Sequence, residues 1–247
     1  MAIKHEIPWI RIGAESAAIV ASILLAFAID AWWDERVAAE REQEILKTLL
    51  ADFESSREQF EDWKAFHLAV QASNTKLLQL ATSGSTDLTN DEIDRLLLDL
   101  SWWDIQSHFA TSALNSVIAS GELSIINSDA LRRSVADWPT HMRNVQTTQM
   151  QDYEFFRDVW MPYLRKHGYL PQLSVIDAPM PSRTDVYGAI IDMPLSKSIS
   201  HTGMLHDREF QNLLAQKWWI QYDILIWFER TLEMLDETIL QIREAMH

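Results

Sequence analysis

His201 and His206, with Asp207 and Glu209 just behind them, gather imidazoles and carboxylates in one short stretch. These are ligand types that suit zinc and similar divalent metals. Their spacing matches no established ligand motif, so the pair is a weak metal candidate and no cofactor is expected. His67 falls on the apolar seam of a long helix and reads as a hydrogen-bonded core residue, while His108 and His141 have no partner that the sequence names. No Gly-x-Ser-x-Gly elbow offers a nucleophile, and no Gly-rich strand-to-helix turn offers a phosphate cradle. Carboxylates are abundant but scattered along helices. The chain has no cysteine, which removes disulfides, thiolate chemistry and Cys-based metal sites. An enzyme is therefore not expected, and no catalytic residue is assigned.

Arg11 and Glu15 are the sharpest charges, because they lie one helical turn apart beside a long apolar run. Ionisable groups inside a membrane span are costly and mark ion pathways or buried contacts. An i,i+4 ion pair near the interface, or a contact within an oligomer, accounts for Glu15 without conduction and is the preferred reading.

The element that carries these charges runs from Trp9 to Trp33. Its uninterrupted apolar run, Ser16 to Ile29, is short for a hydrocarbon core of about 30 Å. Trp9 at one end and Trp32 with Trp33 at the other stand about 35 Å apart on a helix, the separation of two interfacial belts. A cleaved signal peptide is disfavoured, since Asp30, Trp32, Trp33, Asp34 and Glu35 replace a small-residue cleavage site and helix-forming sequence continues. Lys4 and Arg11 before the span, against Asp34 and Glu35 after it, predict a cytoplasmic N-terminus and an external main domain. Ala14, Ala18, Ser22, Ala26 and Asp30 recur every four residues and form a small-residue face on which another helix can pack.

This stretch resembles the N-terminal signature of a bacterial domain-of-unknown-function family of single-pass membrane proteins. The resemblance rests on Glu15, the segment Ile23-Leu24-Leu25-Ala26-Phe27-Ala28-Ile29-Asp30, then Trp32 and Asp34-Glu35. A second segment, Ser120-Gly121-Glu122-Leu123-Ser124-Ile125-Ile126-Asn127, is similar to the family's Ser-Gly-x-Leu-x-x-Ile motif. Ala14 separates Gly13 from Glu15, Asp30 stands where the family has Asn, and Trp33 is extra. The resemblance implies a bacterial inner-membrane location and brings no activity with it.

Composition points the same way. Hydrophobic residues make up 47% of 247 residues and glycine only six, which favours helix over sheet. The formal net charge is −15, with nearly all of the excess after the span. Such a surface repels phosphate backbones, so no nucleic-acid partner is expected.

From Asp34 to about Ala81 no Gly or Pro interrupts the chain. Leu46, Leu49, Phe53, Phe60, Trp63, Val70 and Leu77, with Ser56, His67 and Asn74 in the same seam, follow a coiled-coil-like three-and-four spacing. The span is expected to continue rigidly into the external domain. A turn over Ser83–Leu88 precedes a capping box, Thr89 with Glu92, opening a helix from Asn90 to about Ser101 ahead of Trp102 and Trp103. A short helix near Thr111–Ala119 should end at Gly121, and Asn127 or Ser128 should cap another that restarts or kinks at Pro139 and stops at Gly168. Residues 169–203, with Pro171, Pro179, Pro181, Pro194 and Gly188, read as one long irregular segment. The last helix, about Asp207 to Ala245, has an expected seam of Leu225, Phe228, Leu232, Leu235, Ile239, Ile242 and Met246, packed on the Ile45–Leu80 helix.

The expected protein is all-α: a short N-terminus over residues 1–8, a transmembrane helix over 9–33, and an extracytoplasmic helical bundle over 34–247. Its expected partners are membrane lipid and either further copies of itself or other subunits of a membrane complex. Ligand sensing through the 169–203 segment, with a separate signalling partner, and ion conduction by an oligomer with Glu15 near its axis are the alternatives.

Overall fold

A computed structural model describes residues 9–84, 88–101, 112–174 and 198–246; for 9–14, 16, 112–113 and 174 it describes the backbone alone. Expectations that concern Lys4, the middle of the 83–88 turn, Trp102, Trp103, His108, Thr111 and most of the Pro-rich segment lie outside these residues. Every regular element among the described residues is helical.

One helix, α1, runs from Trp9 to Ser83 without a break. Its 75 residues give a rod of about 110 Å at 1.5 Å per residue. It contains one stretch long and apolar enough to cross a membrane, with a mean hydropathy of 1.6. The other half of the rod, from Glu42 onward, is the backbone of a bundle. Leu46, Leu49, Phe53, Ser56, Phe60, His67, Val70, Asn74 and Leu77 are all buried and Trp63 half-buried, so the expected seam, polar members included, is the face that packs.

Two short helices flank the rod. α2, Asn90–Leu100, is opened by the expected capping box: Thr89 accepts from the Glu92 amide, and the Glu92 carboxylate accepts from the Thr89 amide. α3, Ser112–Ser120, ends at Gly121, whose φ of 75° is the left-handed conformation that glycine adopts without a Cβ penalty.

Ser128 caps α4, Asp129–Phe155, by accepting from the Leu131 amide. Pro139 lies inside α4 and does not end it. What interrupts this helix is a π-turn, Phe156–Trp160, in which the Met161 amide reaches back five residues to the Phe156 carbonyl. The cause is local: Pro162 has no N–H to give to Asp158, and its ring would press on that carbonyl in a straight α-helix. The helix resumes as α5, Met161–His167, and stops at Gly168. The expected irregular segment contains a short helix, α6, Leu170–Ser174, and a 3-10 turn, Thr202–His206.

Asp207 caps α7, Arg208–Ala245, which lies antiparallel along α1. Arg243 to Glu54 (2.7 Å), Arg57 to Asp236 (2.5 Å) and the Lys64–Glu229 pair set the register between the two helices. Here the expected seam needs correction. The buried stripe is Leu214, Lys217, Gln221, Ile224, Phe228, Thr231, Leu235, Thr238 and Ile242, alternating three and four apart. Leu225, Leu232 and Met246 lie half-buried on its flank. An apolar-only search passed over the threonines, yet each hides its hydroxyl by bonding its own helix, Thr231 to the Trp227 carbonyl and Thr238 to that of Met234.

The interior divides into two apolar clusters. A proximal one is built on Phe53, Phe60, Trp138, Val145, Phe228 and Leu235, and a distal one on Leu77, Leu97, Phe155, Trp160, Leu164 and Phe210.

Candidate functional site: an exposed apolar helix and a polar layer inside the bundle

Residues 17–41 of α1 are exposed at every position. Leu24, Leu25 and Phe27 expose 62%, 62% and 67% of their surface, and Trp32 and Trp33 are similarly open. Ala18, Ser22, Ala26 and Asp30 of the small-residue face therefore stay uncovered by the described residues, and Glu15 is exposed as well. Trp9, Arg11 and Ala14 continue the helix, with side chains outside the described residues. The Ser22 hydroxyl donates to the Ala18 carbonyl at 2.8 Å, so it needs no outside acceptor and the face stays small and effectively apolar.

Where α1 enters the bundle a polar collar grips it. Arg41 donates to Glu122 through Nε and Nη2 at 2.9 and 2.6 Å, and to Glu44 at 2.6 Å. This guanidinium holds the Glu122 carboxyl below the usual carboxylate range. Glu42, 8% exposed, accepts from both the backbone amide and the side-chain amide of Asn127 at 2.6 Å each. The segment Ser120–Asn127 thus docks on α1 just beyond the exposed stretch. Glu42 gave no sign of its role in the sequence, since a carboxylate beside Arg41 in a charged helix reads as solvated.

Between the two apolar clusters lies a polar layer. Lys217 and Asp152, 0% and 1% exposed, form an ion pair of 2.6 Å. Gln221 donates to the second Asp152 oxygen at 3.0 Å, and its carbonyl oxygen meets Nδ1 of His67 at 2.8 Å. One chain of contacts therefore links α1, α4 and α7. Burial holds His67 neutral and pushes its pKa down to about 4, against smaller upward pulls from Gln221 and Asp152. His67 is the hydrogen-bonded core residue that its seam position predicts. Both polar ends of Gln149 and the Oδ1 of Asn74 are also buried, with no partner among the described residues.

A second buried carboxylate sits in the distal half. Asp94 of α2 meets Nδ1 of His201 at 2.5 Å and accepts from Gln172. Nε2 of His201 accepts the Tyr169 amide at 2.9 Å, which requires that nitrogen to be unprotonated and assigns the proton to Nδ1. Gln172 also bonds the Ile199 backbone twice, at 3.0 and 2.9 Å. The clamp ties together both sides of the Pro-rich segment. His201, offered by the sequence as a metal ligand, thus has both nitrogens engaged by protein, while His206 is exposed. Among the described residues, the ligand atoms of His167, Asp207 and Glu209 do converge, within 4.8 Å of one another. Asp207 is already committed there, accepting the Glu209 amide with one oxygen and the Tyr163 hydroxyl with the other. The positive end of α7 at this point also opposes a cation.

His141, which the sequence left without a partner, meets the Thr231 hydroxyl at 2.7 Å. It lines an open groove of about 540 Å³ between α4 and α7, with Arg133, Asp137, Asn144, Glu237 and Gln241. None of these features forms a constellation of nucleophile, base and oxyanion donors. No family model matches the chain, and no curated protein or solved structure matches it either.

Proposed function

We propose that this chain is a membrane-anchored association protein: a single-pass protein with a cytoplasmic N-terminus in a bacterial inner membrane, acting as a homo-oligomer or as a subunit of a larger membrane complex. One observation carries the reading. The apolar part of α1 is left uncovered by the described residues, yet it belongs to the same unbroken helix that organises the bundle. Each large apolar side chain left in water forgoes about 1.5–3 kcal/mol of burial, and nine of the exposed ones fall between Ile19 and Trp33. A bilayer removes that penalty. Exposed residues 34–41 then act as a rigid spacer of about 12 Å, and the collar at Arg41 and Glu42 fixes the bundle's orientation to the membrane helix.

The small-residue face, Ala14, Ala18, Ser22, Ala26 and Asp30, is the surface that a neighbouring helix would use. Crosslinking in native membranes tests this, with Ala18→Leu and Ser22→Leu expected to weaken the assembly. A strictly monomeric protein, unchanged by both substitutions, removes the proposal. Glu15→Gln and Glu15→Leu separate assembly from conduction: assembly expects Leu to reduce oligomerisation more than Gln, whereas a pore expects altered liposome flux from intact oligomers. The ligand-sensing alternative draws no support from the described part of the 169–203 segment. There Gln172 and His201 are buried against Asp94 of α2.

A further inference from the structure

The apolar residues around the π-turn come in adjacent pairs: Phe155 with Phe156, Val159 with Trp160, and Tyr163 with Leu164. In the structure the stripe that continues α4 passes through Phe155, Trp160 and Leu164, Tyr163 is buried beside Leu164, and Phe156 and Val159 are half-buried against the same cluster. If α4 kept its three-and-four spacing beyond Asp152 without the extra residue of the π-turn, the stripe would run through Phe156, Val159 and Tyr163. The chain therefore carries two apolar stripes one residue apart, which is about 100° of helix rotation, and the π-turn selects between them.

We infer that α4 and α5 form a register switch. In the observed register the π-turn places Trp160 and Leu164 in the core. In the other the turn relaxes to α-helix, Val159 takes the place of Trp160, Tyr163 shifts from its buried flank position into that of Leu164, and Leu164 moves to the outward position now held by exposed Arg165. Two ties break in the exchange: Trp160 Nε1 to Ser101 at the end of α2, 3.0 Å, and the Tyr163 hydroxyl to Asp207 at the start of α7, 2.6 Å. The π-turn and α5 are thereby untied from the ends of α2 and α7, while Asp152 and the proximal cluster keep their contacts. Gly168, in extended conformation at the end of α5, gives the link that absorbs the displaced residue. Val159 fills less space than Trp160 and Pro162 opposes a straight helix, so the observed register is the ground state and the other is the minor one.

The absence of cysteine makes this directly measurable in the purified full-length protein. Leu164→Cys and Leu49→Cys, both at fully buried positions, are labelled with a maleimide under native conditions. A minor register exposes position 164 without unfolding the proximal core, so the Leu164→Cys protein should react at least about tenfold faster than the Leu49→Cys protein. Adding Pro162→Ala restores the missing amide and should accelerate labelling at position 164 further. Simple fraying of α5 predicts the reverse, because Ala strengthens the helix. Val159→Cys gives the opposite reading, since position 159 is covered in the second register and its labelling should slow when Pro162→Ala is added. Equal rates at positions 164 and 49, or slower labelling at 164 in the presence of Pro162→Ala, overturn the switch.

Discussion

Among the described residues two aspartates are buried, 1% exposed each, and they are answered differently. Asp152 lies at mid-bundle against Lys217 and Gln221, and through Gln221 it reaches His67, so three long helices share one contact chain. Asp94 lies in the distal half against His201 and Gln172, and through them it holds the Tyr169 and Ile199 amides. The first network joins elements that already lie side by side along a common seam. The second pins to α2 two stretches that lie on either side of the Pro-rich segment. A buried charge in a bundle can thus either register helices or fasten a loop, and the two roles should fail in different ways.

Lys217→Met separates them most strongly. It leaves the Asp152 charge buried without its cation, and a loss of about 3–5 kcal/mol is expected in denaturant melts. Adding Asp152→Leu should recover most of that loss, because a matched apolar pair removes the desolvation cost along with the charge. A double variant as unstable as the single one contradicts the account of the layer.

Acid provides the second test. His67 is neutral when folded, with its pKa down at about 4, and titrates near 6.5 when unfolded. Between these values the unfolded state binds the extra proton, so stability is full above about pH 6.5 and falls as pH drops toward 4. The slope reaches at most about 1.4 kcal/mol per pH unit. His67→Gln should flatten that part of the stability profile, and an unchanged slope would place the titration elsewhere.

Asp94→Leu should act locally. The His201 Nδ1 proton and one Gln172 donor lose their acceptor, for about 1–3 kcal/mol. Hydrogen exchange should quicken at the Tyr169 and Ile199 amides while the amides of α7 beside Lys217 stay protected. Faster exchange in both places would erase the distinction between the two networks. Smallest is Thr89→Ala, which removes the α2 cap for about 1 kcal/mol and should loosen the α2 element that carries Asp94 without touching the middle layer.

Much of this architecture was legible in the residues. The α1 seam could be read with its polar members in place, because Ser56, His67 and Asn74 interrupt an apolar pattern dense enough to carry them. The capping box at Thr89, the left-handed Gly121 and the Ser128 cap were equally visible, since each depends on a few neighbouring residues. The α7 seam was read partly wrongly for the opposite reason. Lys217, Gln221, Thr231 and Thr238 make its buried face locally polar, and apolar neighbours drew the stripe aside.

Local chemistry thus determined the helices, their ends, the apolar stretch within Trp9–Trp33 and the lack of any recognisable catalytic motif. These follow from hydrogen bonds and periodicities that span at most a few turns. Tertiary structure alone decided that Glu42 meets Asn127, that Asp152 finds Lys217 and that His201 turns to Asp94 instead of His206. Those pairings join residues 65 to 107 positions apart. A buried charge is stable only beside a partner, and the fold, not sequence spacing, brings that partner within reach.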